Sequence, residues 1–302
     1  MLRVHAARSV EPVPPASAVL ELLKPITWFP PMWAYACGLV SASALHVPGL
    51  WLGLLGVALC GPLVCGTSQA VNDWFDRDVD AINEPQRPIP SGRIAGQWGL
   101  RIAIGWSLLS AAAALPLGSF GFCAALLGLL LAWLYSAPPV RLKRNGWWGN
   151  SAVAVCYEGL PWLTGVTVVT GTLPALPVFV LAGLYSFGAH GIMTLNDFKS
   201  VEGDLRSGIG SLPARLGVAR AARVACLMMA LPQVVVVVLL YAWHRPAHAT
   251  AVLLSLAVQA VLMRRLVTRP RELAPWYNGT GITLYVAGMM VSAFALRTLV
   301  SA

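Results

Sequence analysis

Charge is scarce in this 302-residue sequence, with only 11% Asp, Glu, Lys and Arg, where a soluble domain carries about 25%. That shortage argues against a protein bathed in water on every side. Lysine is the rarest cation, outnumbered by arginine 18 to 3, a bias that suggests a GC-rich bacterial genome. The six cysteines form no C-x-x-C pair and all fall in apolar stretches, so they read as small hydrophobes rather than a disulfide framework. Residues 1–20 are proline-rich and lack the apolar core of a signal peptide. The leader is also short for a plastid transit peptide.

Hydrocarbon is what the chain has in excess, at 57% hydrophobic residues. A helix needs about 20 apolar residues to cross a bilayer. Nine such runs occur, near 26–46, 49–71, 98–116, 119–136, 150–170, 174–196, 221–242, 248–267 and 276–299. The sequence therefore predicts an all-α membrane protein of nine transmembrane helices, each satisfying its own backbone groups in lipid. It divides into an N-terminal cytoplasmic segment, 1–25, and one transmembrane domain, 26–302.

The formal net charge of +9 could indicate nucleic acid, but its distribution argues otherwise. Arg3, Arg8 and Lys24 precede the first run, and the other cations gather in alternate loops. Those loops carry Arg77 to Arg101, Arg141 to Arg144, Lys199 to Arg223, and Arg264 to Arg271; the remaining loops are nearly bare. The positive-inside rule then places the N-terminus in the cytoplasm and the C-terminus on the opposite side. Attraction to anionic membrane lipid accounts for part of the excess.

Against this background, NDWFDRDVD at 72–80 is anomalous, with four carboxylates in eight residues at the end of an apolar run. NDFKSVEGD at 196–204 repeats it at an offset of 124: Asn72 matches Asn196, Asp73 matches Asp197, Asp78 matches Glu202, and Asp80 matches Asp204. Both blocks close an even-numbered span, as an internal repeat would require, with the ninth span outside the two halves. On a helix, Asn72, Asp76 and Asp80 share a face with Asp73 at its edge, and Asn196, Ser200 and Asp204 form the equivalent stripe with Asp197 beside it. Two facing acidic stripes repel unless a cation lies between them. All-oxygen ligands suit Mg²⁺, which keeps waters and binds through carboxylates and substrate phosphates. A solvated or Arg-paired loop explains one such block more easily than two that match.

These motifs resemble the UbiA family of intramembrane prenyltransferases, over nearly the whole chain. NDWFDRDVDAINEPQRPIPSGRI and NDFKSVEGDLRSGIGSLPARLG look like its chlorophyll synthase branch, and KPITWFPPMWAYACG is similar to the bacteriochlorophyll members. Quinone-forming members carry Asp-x-x-x-Asp in the second block, where this chain has Ser200, so Asp197 takes over as ligand. The resemblance implies a nine-helix bundle in a bacterial inner or intracytoplasmic photosynthetic membrane. It implies Mg²⁺-assisted transfer of a geranylgeranyl or phytyl group from its diphosphate to the propionate of (bacterio)chlorophyllide. The catalytic set is then Asp76, Asp80, Asp197 and Asp204, within a metal-binding set completed by Asn72, Asp73 and Asn196. Asp73 either binds metal or holds a basic neighbour.

Arg87 in EPQRPIPSGR and Lys143 in YSAPPVRLKRNG match the family's diphosphate-binding positions, with Arg141, Arg93 and Lys199 as further candidates; each is otherwise a topogenic charge. A propionate is ionised at neutral pH, so no general base is demanded. A flat acceptor asks for a wide apolar cavity with aromatic walls. Trp28, Trp33, Trp133, Trp147, Trp148 and Trp162 fall near the cytoplasmic span ends, although Trp is also enriched at membrane interfaces. Tyr135 either lines the cavity or marks the interface. Glu158, an intramembrane acid, is a functional candidate by default, either kept neutral or touching the acceptor. His190 is either a ligand for the chlorin metal or a buried imidazole bonded to a carbonyl. Trp162 completes the acceptor-pocket candidates. Pigment-assembly proteins are the partners this branch suggests. The alternatives are transfer to an aromatic or quinone precursor, a cation-coupled transporter, and a non-catalytic pigment carrier.

Overall fold

A computed structural model describes residues 11–42 and 50–300, with backbone only at 298–300. Arg3, Arg8 and the end of the first apolar run, 43–46, lie outside the described residues. Thirteen helices follow in order among them: α1 (Ala16–Leu22), α2 (Phe29–Ser41), α3 (Leu50–Asn83), α4 (Trp98–Ala114), α5 (Gly118–Ser136), α6 (Gly146–Thr170), α7 (Leu176–Asn196), α8 (Val201–Arg206), α9 (Leu212–Leu216), α10 (Val218–Ala242), α11 (Pro246–Leu266), α12 (Pro270–Gly279) and α13 (Gly281–Val300). The described residues form no strand; one isolated parallel bridge joins Asn145 to Gly210.

Seven helical stretches among the described residues are long and apolar enough to cross a membrane. One of them, Trp98–Ser136, has 39 residues, about twice what a span needs. It is broken at Leu115–Leu117, where Pro116 cannot donate to the helix ladder, and Gly118 adopts φ +77°. α2 is 13 residues long and ends beside the undescribed 43–49. Aliphatic side chains such as Leu54, Leu108, Leu130, Val238 and Leu254 face outward and exposed, as a lipid-facing surface requires.

The bundle closes on itself. α3 packs on α4 and α5, α6 on α2, α5 and α7, α10 on α7 and α11, and α13 on both α11 and α2. The α2–α6 crossing depends on two glycines. A Cβ on Gly38 would stand 2.1 Å from the Trp162 carbonyl, and one on Gly165 would stand 2.4 Å from that of Tyr35. Without hydrophobic drive between helices in lipid, such backbone proximity supplies the packing. Polar links add to it: Gln233 and Gln259 exchange amide hydrogen bonds at 3.0 Å between α10 and α11, and Tyr285 Oη donates to the Tyr185 carbonyl at 2.7 Å.

Two long helices contain wide π-type turns, Leu59–Cys65 in α3 and Val155–Gly159 in α6. Pro62 lies inside the first and Pro161 just beyond the second. A proline ring cannot sit against the carbonyl four residues back, and widening the turn relieves that clash. These turns face one another: Cys65 Sγ lies 3.4 Å from Tyr157 Oη.

α1 packs Ala18 and Leu22 against Ala70, Val71, Ile94 and Ala103. Ala16–Leu22 is thus joined to the bundle.

Candidate active site

α3 runs unbroken through the first acidic block, so its residues take the helical stripe that their spacing predicts. Asn72, Asp76 and Asp80 line one cavity. Asn72 Nδ2 donates to Asp76 Oδ2 at 3.1 Å and to Ser136 Oγ at 3.3 Å. Asp73 points elsewhere. It is 1% exposed, absent from the cavity wall, and held by Lys24 at 2.6 Å and Arg87 at 3.3 Å. Asp78 is exposed beside Arg77.

The second block departs from a continuous helical stripe. α7 stops at Asn196, a tight turn covers Asp197–Lys199, and α8 begins at Val201. Ser200 Oγ donates to the Asp197 carbonyl at 3.1 Å and to Asp204 Oδ2 at 3.1 Å. Local side-chain bonds of this kind compete with helix continuation. The turn still delivers Asn196, Asp197, Ser200 and Asp204 to the same cavity as the first block. Asp197 Oδ2 accepts from Asn150 Nδ2 at 3.3 Å, and Asp204 Oδ2 accepts from Ser211 Oγ at 2.6 Å. Asn196 Oδ1 accepts from Asn278 Nδ2 at 3.1 Å. Glu202 also lines the cavity and pairs with Arg271 at 2.7 Å.

Cations distribute unequally between the blocks. Arg87 reaches Asp80 at 2.8 Å and also bonds Glu84. Asp76 is bonded by Lys143 and, at 3.0 Å, by Arg141. Asp197 and Asp204 have amide and hydroxyl partners and no ion pair among the described residues. Burial holds the Lys143 ammonium below its usual range, although the Asp76 carboxylate opposes that shift. Burial raises the Asp204 carboxyl, and the negative charge of Asp76 adds to the effect. The bridge at Asn145 fixes this arrangement: Gly146 N–H donates to the Gly210 carbonyl at 2.8 Å, so the Lys143 loop is tied to the loop after Asp204.

Among the described residues no three Asp, Glu, His or Cys side chains stand gathered as a metal cluster. The donor set nevertheless suits a hard divalent cation. Asn72, Asp76, Asp80, Asn196, Asp197 and Asp204 offer oxygens to one space, and of these Asp197 and Asp204 enter no ion pair among the described residues.

The cavity has a volume of about 1260 Å³. Arg87, Lys143 and Lys199 line its polar end. Arg141 approaches only through Asp76. Arg93 lies away from the wall, held bidentately by Glu21 at 2.6 and 2.8 Å. Deeper in, the wall is apolar, with Ala154, Ile192, Met193 and Val286, and it includes Tyr135, Tyr157 and Glu158.

Two acceptor-pocket candidates lie off the cavity wall. His190 Nε2 lies 3.2 Å from the Trp147 carbonyl, the imidazole rests against the Trp147 ring, and the residue is not part of the cavity lining. Trp162 is 0% exposed, stacks on Tyr185 and donates to Ser41 Oγ at 3.0 Å in the bundle core. Among the described residues no tryptophan lines the cavity, and its aromatic side chains are Phe29, Tyr135 and Tyr157. Trp147 and Trp148 are exposed, as membrane-interface residues are.

Sequence reasoning missed Lys24, which reads as a topogenic charge but reaches Asp73, and the neutral partners Asn150, Ser211 and Asn278. No motif marks the latter three, because a single amide or hydroxyl gains meaning only from what it touches.

The model of the UbiA prenyltransferase family matches residues 28–295. The bacteriochlorophyll synthase 33 kDa chain of Rhodobacter capsulatus is 55% identical over 288 residues, covering 94% of this chain and 95% of that one. The chloroplastic chlorophyll synthase of Oryza sativa is 37% identical over 91% of this chain and 76% of its own length. Among solved structures, a UbiA homolog from Archaeoglobus fulgidus bound to GPP and Mg²⁺ has a TM-score of 0.72 and 20% identity, covering 94% of this chain and all of that one; that likeness shows the fold. The chain belongs to the UbiA prenyltransferase family, and it is an integral membrane enzyme that transfers prenyl groups.

Proposed function

We propose that this enzyme is a (bacterio)chlorophyll synthase, esterifying the propionate of (bacterio)chlorophyllide with a geranylgeranyl or phytyl group taken from its diphosphate. The observation that carries the reading is the single cavity into which both acidic blocks open, polar at one end and apolar along its body. The 55% identity to a bacteriochlorophyll synthase over nearly all of both chains supports the choice of acceptor.

Asn72, Asp76, Asp80, Asn196, Asp197 and Asp204 are the residues that would hold Mg²⁺. Bound there with the diphosphate, the ion supplies Lewis-acid stabilisation of the leaving group. Arg87, Lys143 and Lys199 bind diphosphate oxygens at the polar end and favour the charge that grows as the C1–O bond breaks. Arg141 holds Asp76 in place, and Asp73, gripped by Lys24, holds Arg87. The bond electrons leave with the diphosphate. The propionate oxygen then donates a pair to the allylic cation at C1, forming the ester C–O bond. No proton is released, so no general base is needed. The apolar wall around Ile192, Met193 and Val286 keeps water from that cation.

The two related acidic blocks support an internal repeat with a ninth helix added, and nine crossings. Trp98–Ser136 then supplies two spans, and α2 is the first. Residues 26–302 are the transmembrane domain. The N-terminus faces the cytoplasm and the C-terminus the other side, in a bacterial inner or intracytoplasmic photosynthetic membrane.

Membranes containing the protein, incubated with bacteriochlorophyllide, geranylgeranyl diphosphate and Mg²⁺, should yield the esterified pigment. Product obtained only with an aromatic acceptor would overturn the reading in favour of a quinone-type prenyltransferase.

A further inference from the structure

Glu158 is the one buried acid in the cavity wall that the chemistry above does not use. It is 3% exposed, lines the cavity, and its Oε2 makes no hydrogen bond among the described residues. It enters no ion pair among them either, so it is not present as half of a salt bridge. An unpartnered carboxyl at membrane depth is costly and persists where something completes it. The π-type turn Val155–Gly159 carries it; turns of this kind re-aim side chains and concentrate at functional positions.

Its depth narrows the choice of partner. Asn150, on the same helix, marks the polar end through its bond to Asp197. Eight residues further along a helix is roughly 12 Å. A diphosphate at the acidic end cannot extend that far, and a prenyl chain is hydrocarbon with nothing to offer a carboxyl. The acceptor is the substrate with polar groups at such a distance. With its propionate at the acidic end and its ring along the apolar body, its far ring carbonyls reach this depth.

Resting on the proposed acceptor, we propose that Glu158 is a specificity-determining residue, donating a hydrogen bond from its carboxyl to a ring carbonyl of the chlorin. Carbonyl oxygens only accept, so the donor must come from the protein, and a site built to hydrogen-bond a polar group rejects an analogue that lacks it. The bond fixes which edge of the ring lies deep in the cavity. It does not enter the bond-forming step.

The test compares wild type, Glu158→Gln and Glu158→Leu with (bacterio)chlorophyllide and with analogues whose ring carbonyls are reduced, measuring KM and kcat for each acceptor and KM for geranylgeranyl diphosphate. Glutamine keeps a donor of the same shape and should keep an acceptor KM within about threefold. Leucine should raise it by about 5- to 30-fold, the value of one hydrogen bond of 1–2 kcal/mol. It should also erase the preference for the carbonyl-bearing acceptor, with the diphosphate KM unchanged as evidence of an intact fold. An unchanged acceptor KM in the leucine variant overturns the assignment, as does a discrimination that follows the central metal rather than the carbonyl. Wild-type membranes that form no pigment ester at all would instead remove the underlying reading.

Discussion

The Lys24 ammonium lies 2.6 Å from Asp73 Oδ1, joining the segment ahead of α2 to the first acidic block. Lys24 adopts φ 49° and ψ 71° to make this contact, a left-handed conformation uncommon outside glycine. Asp73 is nearly inaccessible and already leaves Oδ2 without a partner. Lys24→Met should therefore destabilise the protein by on the order of 1–3 kcal/mol, less than a fully orphaned buried charge because Arg87 still reaches the same oxygen. Thermal unfolding in detergent measures this, and Lys24→Arg should recover most of the loss.

Asp76→Ala and Asp204→Ala should each abolish turnover while the protein still inserts in the membrane. A chelator should stop the wild-type reaction, and added Mg²⁺ should restore it. Mn²⁺ binding followed by electron paramagnetic resonance separates loss of the ion from loss of the fold. Full activity in either variant, or an unimpaired rate in chelator, would refute the metal role.

Arg87 and Arg93 sit six residues apart and should behave differently. Arg87→Ala removes a charge from the cavity wall and should raise the KM for the prenyl diphosphate about 10- to 150-fold, from a charged hydrogen bond of about 1.5–3 kcal/mol. Arg93 pairs with Glu21 at the exposed surface, where such pairs contribute about 0–1 kcal/mol. Arg93→Ala should leave that KM unchanged. Equal effects in the two variants would show that the cavity wall is misassigned.

His190→Ala should lower stability by about 1–2 kcal/mol through its lost bond to the Trp147 carbonyl. The acceptor KM should stay unchanged. A raised KM with an unaltered melting temperature would return the imidazole to the acceptor pocket.

Gly38→Ala and Gly165→Ala should each destabilise by about 1–3 kcal/mol, because the new methyl meets backbone that cannot retreat. Gly183→Ala is the control. A Cβ there meets nothing within 4 Å, and alanine in a helix is worth about 0.5–1 kcal/mol over glycine. Unfolding midpoints of the three variants decide the matter.

Much of the cavity's polar end was legible in the chain itself. Asn72, Asp76 and Asp80 fall on one face because α3 stays helical through them, and helical periodicity is a local property. From Asn196 to Asp204 the helix is interrupted instead, where Ser200 Oγ bonds the Asp197 carbonyl, and a turn rather than periodicity brings these residues to the cavity. Arg93 and His190 show a different limit: spacing could not choose between their alternative readings, because Glu21 and the Trp147 carbonyl, each distant in sequence, hold their side chains.

The sequence by itself determined that this is a helical membrane protein, with two matched acidic blocks and the family to which they belong. Those features follow from hydropathy, periodicity and short motifs, which act over a turn or two of chain. Only the tertiary structure decided which charges face the cavity, that Lys24 holds Asp73, and that, among the described residues, tryptophan stays out of the cavity wall and Glu158 Oε2 lacks a hydrogen-bond partner. Each of these depends on which groups distant in sequence are brought within contact, and hydrogen bonds need donor and acceptor within about 3 Å.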